Sequence, residues 1–73
     1  MTEPQLDIKR QVANLIREAR KAKGLTQKEL GERLGLSKNT VTEYEDGKQN
    51  LTIETLNKIS LALDGSILIV LKK

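Results

Sequence analysis

At 73 residues the chain has room for one domain around one small core, and a domain of that size is marginally stable alone. It holds no cysteine and no histidine, which excludes disulfides, thiolate or imidazole metal sites, and catalysis by those side chains. The formal net charge of +3 permits a nucleic-acid partner without demanding one.

Met1 to Arg10 is polar and lacks an apolar h-region, so no signal peptide is expected and a cytoplasmic location follows. The longest apolar run, Ile67 to Leu71, is too short to cross a bilayer, so no membrane partner is expected. Helix 7–23 is predicted from Val12, Leu15, Ile16 and Ala19, which recur at the i, i+3, i+4, i+7 spacing of one helix face. Gly24 follows it, where a left-handed C′ residue is expected. Thr26 with Glu29 forms a capping box and opens a helix at 27–34, with Leu25, Leu30 and Leu34 as its apolar residues. Gly31 inside that helix costs about 1 kcal/mol relative to alanine. Close approach of a neighbouring backbone is the expected compensation.

The turn Gly35-Leu36-Ser37 is only three residues long, so the helix that follows must cross its predecessor steeply. That helix, 38–46, is capped by Ser37 and offers Val41 and Tyr44 to the core, with Leu36 before it. Gly47 ends it. Thr52 caps a fourth helix at 53–64, whose core residues are Ile53, Leu56, Ile59 and Leu63, and Gly65 closes it. The tail 66–73 changes character: Ile67 to Leu71 is apolar on both faces with no helical period. It reads as a strand at 66–71, although no second strand exists in the chain to pair with it.

Charge is unevenly placed. Residues 8–24 carry Lys9, Arg10, Arg17, Arg20, Lys21 and Lys23 against Glu18 alone. Residues 26–50 carry Lys28, Arg33, Lys38 and Lys48 against Glu29, Glu32, Glu43, Glu45 and Asp46. Phosphate attraction must therefore come partly from helix 1 or from backbone amides. Tyr44 is the single aromatic residue, so the base-stacking platforms of single-strand and RNA modules are absent and a duplex is the better partner.

Residues 25–47 resemble the helix-turn-helix of the phage repressor and Cro-like (XRE-type) regulators. Leu25, Thr26, Gln27, Glu29, Leu30, Gly35, Ser37, Val41, Glu45 and Gly47 match that family's pattern, while Gly31 replaces an alanine and Thr42 a serine. The likeness extends over roughly residues 12–64. It implies an all-α, lambda-repressor-like domain at 1–65, with four main helices and 38–46 as the recognition helix. The strand at 66–73 stands where the family usually has a fifth helix, and resembles antitoxin-type members whose C-terminal strands pair across a dimer.

The resemblance implies roles for particular residues. Lys38, Asn39, Thr42 and Glu43 would read base edges in the major groove. Lys38 suits guanine, Asn39 adenine, and Glu43 a cytosine N4 or the rejection of other bases. Gln27, Thr40, Lys48 and Asn50 would contact phosphate. Arg20 and Glu45 match a structural ion pair; an exposed pair contributes about 0.2–1 kcal/mol, so orientation is its expected role. Ile67, Leu68, Ile69, Val70 and Leu71 would form part of the homodimer contact; a strand folded back on its own helices, or a dimer through helix 4 alone, is the alternative.

The expected function is sequence-specific binding of a palindromic double-stranded operator by a dimeric transcriptional regulator, as a repressor. An antitoxin that represses its own operon, with a toxin as partner, is a further reading. A protein-interaction module without DNA is the competing class, kept open by the weak positive charge of residues 26–50. An enzyme is not expected: no phosphate-cradling glycine loop or metal spacing is present, and the carboxylates fall on helix surfaces or caps. No cofactor and no small-molecule ligand are expected.

Overall fold

The computed structural model describes residues 4–71, with side chains from residue 8 onward. The backbone forms α1 (Pro4–Ala22), α2 (Gln27–Leu34), α3 (Lys38–Glu45) and α4 (Ile53–Ala62). Each predicted helix is present, and the ends differ by up to three residues. Helix α1 begins earlier than the apolar stripe suggested, with Pro4 in its first turn, where the missing N–H costs no intrahelical bond.

The caps form as their residue types require. Thr26 Oγ1 accepts from the Glu29 amide at 3.0 Å, and Glu29 Oε1 accepts from the Thr26 amide at 2.8 Å. Ser37 and Thr52 accept from the amides of Thr40 and Thr55 at 3.2 and 3.0 Å. Gly24, Gly35 and Gly47 adopt φ of +72°, +70° and +72°. The fourth left-handed position differs from expectation. It falls on Asp64, at φ +58°, because α4 ends two residues early; Gly65 has no positive φ. Aspartate tolerates this conformation better than most residues, and its carboxylate meets Lys23 Nζ at 2.6 Å.

Helix α2 packs on α3 and α4, and α1 packs on α3. A Cβ on Gly31 would stand 2.7 Å from the Leu36 carbonyl oxygen, so the glycine is what lets the α2–α3 turn fold back this closely. The core is Ile16, Leu30, Val41, Ile59 and Leu63, with Ala13 also buried. Val12, Leu25, Leu34, Tyr44, Leu51, Leu56 and Ala62 pack around it.

Four expected core residues lie outside: Leu15, Ala19, Leu36 and Ile53 are exposed, Leu15 by 68 % and Ile53 by 66 %. The inward face of α1 is centred on Ala13, Ile16 and Arg20, spaced by three and four residues. Leu15 points about 100° away from Ile16 on that helix. Ile53, at the first position of α4, lies at the rim, and Leu51 packs in its place.

Residues 66–71 form no strand, and the described residues contain none. The reason is the one the sequence supplies: a ladder needs a partner, and a single chain has no second strand. Ile67 to Leu71 are all exposed, Leu68 and Leu71 by 85 % and 86 %. Among the described residues, no helix is long and apolar enough to cross a membrane.

Candidate nucleic-acid interface

The amino end of α2 and the carboxyl half of α3 are joined by a polar network that starts in the core. Arg20 of α1 and Glu45 of α3 form a two-pronged pair, Nε to Oε2 at 2.6 Å and Nη2 to Oε1 at 2.9 Å. Arg20 Nη1 also donates to the Leu25 carbonyl at 2.8 Å, which ties the α1–α2 turn to the same group. The sequence suggested an exposed pair; instead both side chains are enclosed, at 10 % and 2 % exposure. Burial pushes the Glu45 carboxyl upward, but hydrogen bonds from Arg20 and Gln27 and the charges of Arg20 and Arg17 outweigh it and hold the group below the usual carboxylate range.

Gln27, the first residue of α2, extends the network. Its Nε2 donates to Glu45 Oε1 at 3.1 Å, and its Oε1 accepts from the Thr42 hydroxyl at 2.9 Å. The carboxylate must receive a donor, so the orientation of the amide is fixed. Its oxygen and one N–H are occupied; the second N–H remains for an outside acceptor at a helix N-terminus that favours anions. Thr42 Oγ1 also lies 3.0 Å from the Lys38 carbonyl, so its single proton is committed within the protein. Of the four expected base readers, Thr42 is thus half-buried and turned toward α2, whereas Lys38, Asn39 and Glu43 are exposed.

Those three lie along one side of α3, opposite Val41 and Tyr44. Glu43 Oε1 accepts from Gln49 Nε2 at 3.1 Å, so the loop after α3 steadies this carboxylate. That contact was not legible beforehand, because a six-residue separation across a turn has no periodic signature. Thr40 Oγ1 lies 3.0 Å from Ser37 Oγ, placing both hydroxyls at the N-terminus of α3. Lys48 and Asn50 are exposed in the same loop as Gln49. Gly47 seats the start of that loop on α1: a Cβ there would lie 3.5 Å from the Lys9 carbonyl oxygen.

An open groove of about 630 Å³ runs between α1 and the α3–α4 loop, lined mainly by Ile8, Val12, Tyr44, Leu51 and Leu56. No described carboxylate lines it. The arrangement as a whole is a supported helix with exposed donors and acceptors, flanked by two helix N-termini.

Comparison with known proteins gives a consistent result. The helix-turn-helix family HTH_3 matches residues 16–70. An uncharacterized HTH-type transcriptional regulator of Methanothermobacter thermautotrophicus is 43% identical over 49 residues, covering 67% of this chain and 71% of that protein. Antitoxin HipB of Escherichia coli is 33% identical over 57 residues, covering 78% of this chain and 65% of its own length. Among solved structures, an HTH_3 family transcriptional regulator from Vibrio cholerae superimposes with a TM-score of 0.78 at 34% identity over 85% of this chain, which spans only 35% of that protein. The restriction-modification controller protein C.Esp1396I, solved as a tetramer with its natural 35 base-pair operator, gives a TM-score of 0.75 at 29% identity, covering 89% and 82% of the two chains.

Proposed function

The chain belongs to the helix-turn-helix transcriptional regulator family HTH_3, and from that premise we propose that it is a dimeric repressor that binds a palindromic operator in the cytoplasm, a binding protein and not an enzyme. The observation that carries this reading is the support of α3: Lys38, Asn39 and Glu43 stand exposed on a helix anchored through Glu45 to Arg20 and Gln27.

In this reading α3 enters the major groove. Lys38 donates to guanine O6 or N7, Asn39 pairs with adenine N6 and N7, and Glu43 accepts from cytosine N4. With its hydroxyl committed inside the protein, Thr42 meets the bases through its methyl group. The free N–H of Gln27, the hydroxyl of Thr40 and the side chains of Lys48 and Asn50 hold phosphates and set the register.

Selection of bound duplexes from a random pool tests the reading. The expected consensus is a palindrome with half-site centres about one helical turn, roughly 10 base pairs, apart. Failure to enrich any sequence would favour a protein-interaction module without DNA.

The dimer is assigned to the tail. An unpaired apolar segment exposes backbone groups and side chains that a second copy, antiparallel across a two-fold axis, would cover. Leu15 and Ala19 of α1 and Leu56 of α4 border a groove that Ile67 and Leu68 also line, so the paired tails would rest there. Deleting residues 66–73 is expected to leave a monomer at micromolar concentration, measured as mass in solution. A truncated chain as dimeric as the full one would exclude the tail as the main contact.

The likeness to HipB favours a second, narrower reading, in which the repressor is the antitoxin of a toxin–antitoxin pair. Co-purification of this chain with the product of an adjacent gene, and release of that product's toxicity by this chain, would support it; an adjacent product that neither binds nor harms would not.

A further inference from the structure

We propose that the outer face of α1 is a second contact surface for duplex DNA, on which Arg17 and Lys21, extended by Arg10, hold the phosphate backbone beside α3. The proposal rests on the duplex-binding reading above and adds a surface outside the helix-turn-helix.

Helix geometry places these residues together. At about 100° per residue, Arg10, Asn14, Arg17 and Lys21 fall within a sector of about 60°. Arg10, Asn14 and Lys21 are exposed and Arg17 is half-buried. Asn14 Oδ1 accepts from Arg17 Nη2, which holds the guanidinium along the helix face. The stripe borders Arg20, and the Arg17 charge reaches Glu45, so it adjoins the corner where Gln27 offers its free N–H.

The two central charges of this stripe, Arg17 and Lys21, are unneutralised. Among the described residues, Arg20 is paired with Glu45, and Lys23 and Arg33 share Asp64 at 2.6 and 4.0 Å. No described carboxylate lies within ion-pair distance of Arg17 or Lys21. Recognition through α3 needs such help, because Glu43 and Asp46 on its exposed side repel phosphate. The length also fits. From Arg10 to Lys21 the helix rises about 16 Å, and phosphates recur about every 3.4 Å of axis along one strand. Laid along one strand, the stripe would span several consecutive phosphates. An acidic protein surface would meet the charge but not the continuity with the Gln27 corner.

The test is the salt dependence of duplex binding by the full chain carrying Arg17→Gln and Lys21→Gln, using the duplex selected by the parent protein. Two lost phosphate contacts should lower the slope of log K against log salt by about 1.8. The deficit relative to the parent should then shrink about tenfold between 50 and 200 mM salt. The single-base preference profile should stay unchanged, since phosphates carry no base identity. Arg17→Lys with Lys21→Arg keeps both charges and should restore the slope, and Lys58→Gln on α4 should leave it as in the parent. A double variant with the parental slope overturns the proposal, as does one that reshapes the base profile. A parent that binds no duplex sinks the underlying reading itself, and this surface with it, so the two failures are distinguishable.

Discussion

Replacing Glu45 with alanine is expected to lower the unfolding free energy by about 3–5 kcal/mol, because it strands a guanidinium in the core. Arg20 is 8 % exposed and Glu45 4 %, and two hydrogen bonds join them. Small domains have only about 5–15 kcal/mol in total, so the variant should be largely unfolded near physiological temperature. Urea unfolding at low temperature measures the difference. A loss below about 1 kcal/mol would mean that the pair behaves as a solvated surface contact. Replacing Arg20 and Glu45 together with apolar residues of similar volume should cost much less, since no buried charge is then orphaned.

The same pair gives a pH dependence with a definite sign. The Glu45 carboxyl is held below its ordinary value of 4.5 in the folded chain. Its stabilising contribution is therefore fully present above that value and is lost as pH falls through the lower, folded one. Unfolding followed between pH 7 and pH 2 should show this acid limb, and Glu45→Gln should flatten it. Glu29 and Asp64, lowered by the Thr26 capping bonds and by Lys23, leave a residual slope of the same sign.

Asn39→Ala is expected to cost about 1–3 kcal/mol in duplex binding and to relax the preference at one base pair of each half-site. Asn39 is exposed on α3 with no described partner of its own, so its amide is available for a bidentate contact. Gln27→Ala should instead weaken all sequences by a similar factor, because the free N–H of Gln27 faces phosphate in this account. A binding profile over every single-base variant of the selected site separates the two. If Gln27→Ala reshaped the profile while Asn39→Ala merely scaled it, the roles would be exchanged. Some loss of stability also accompanies Gln27→Ala, since Glu45 and Thr42 each lose a hydrogen bond.

Much of the fold was legible because local chemistry and position agreed. Thr26, Ser37 and Thr52 announced three helix starts, and glycines at 24, 35 and 47 announced three ends. Gly31 was readable as a close approach, and the atom it accommodates is the Leu36 carbonyl oxygen. The burial of the Arg20–Glu45 pair was also within reach. Arg20 follows Ala13 and Ile16 at seven and four residues, and Glu45 follows Val41 at four, so each sits on a buried stripe. Counting the pair as an exposed one ignored that periodicity.

What stayed hidden depended on contacts between elements. Leu15 and Ile53 satisfied the helical spacing but lost their place to Ala13 and Leu51, because the width of an apolar stripe does not say which edge meets the neighbour. The inward turn of Thr42 depends on Gln27, fifteen residues away, and the hold of Gln49 on Glu43 depends on the path of a loop. The tail read as a strand from its composition alone; whether it becomes one depends on a second chain.

The most direct measurement is a titration of the isotope-labelled full chain with the selected duplex, following backbone amide chemical shifts. The account predicts the largest changes at Lys38 to Glu43, at Gln27 and from Lys48 to Asn50, with those of the second half of α4 nearly unmoved. Changes confined to α4 and the tail, with α3 silent, would contradict it.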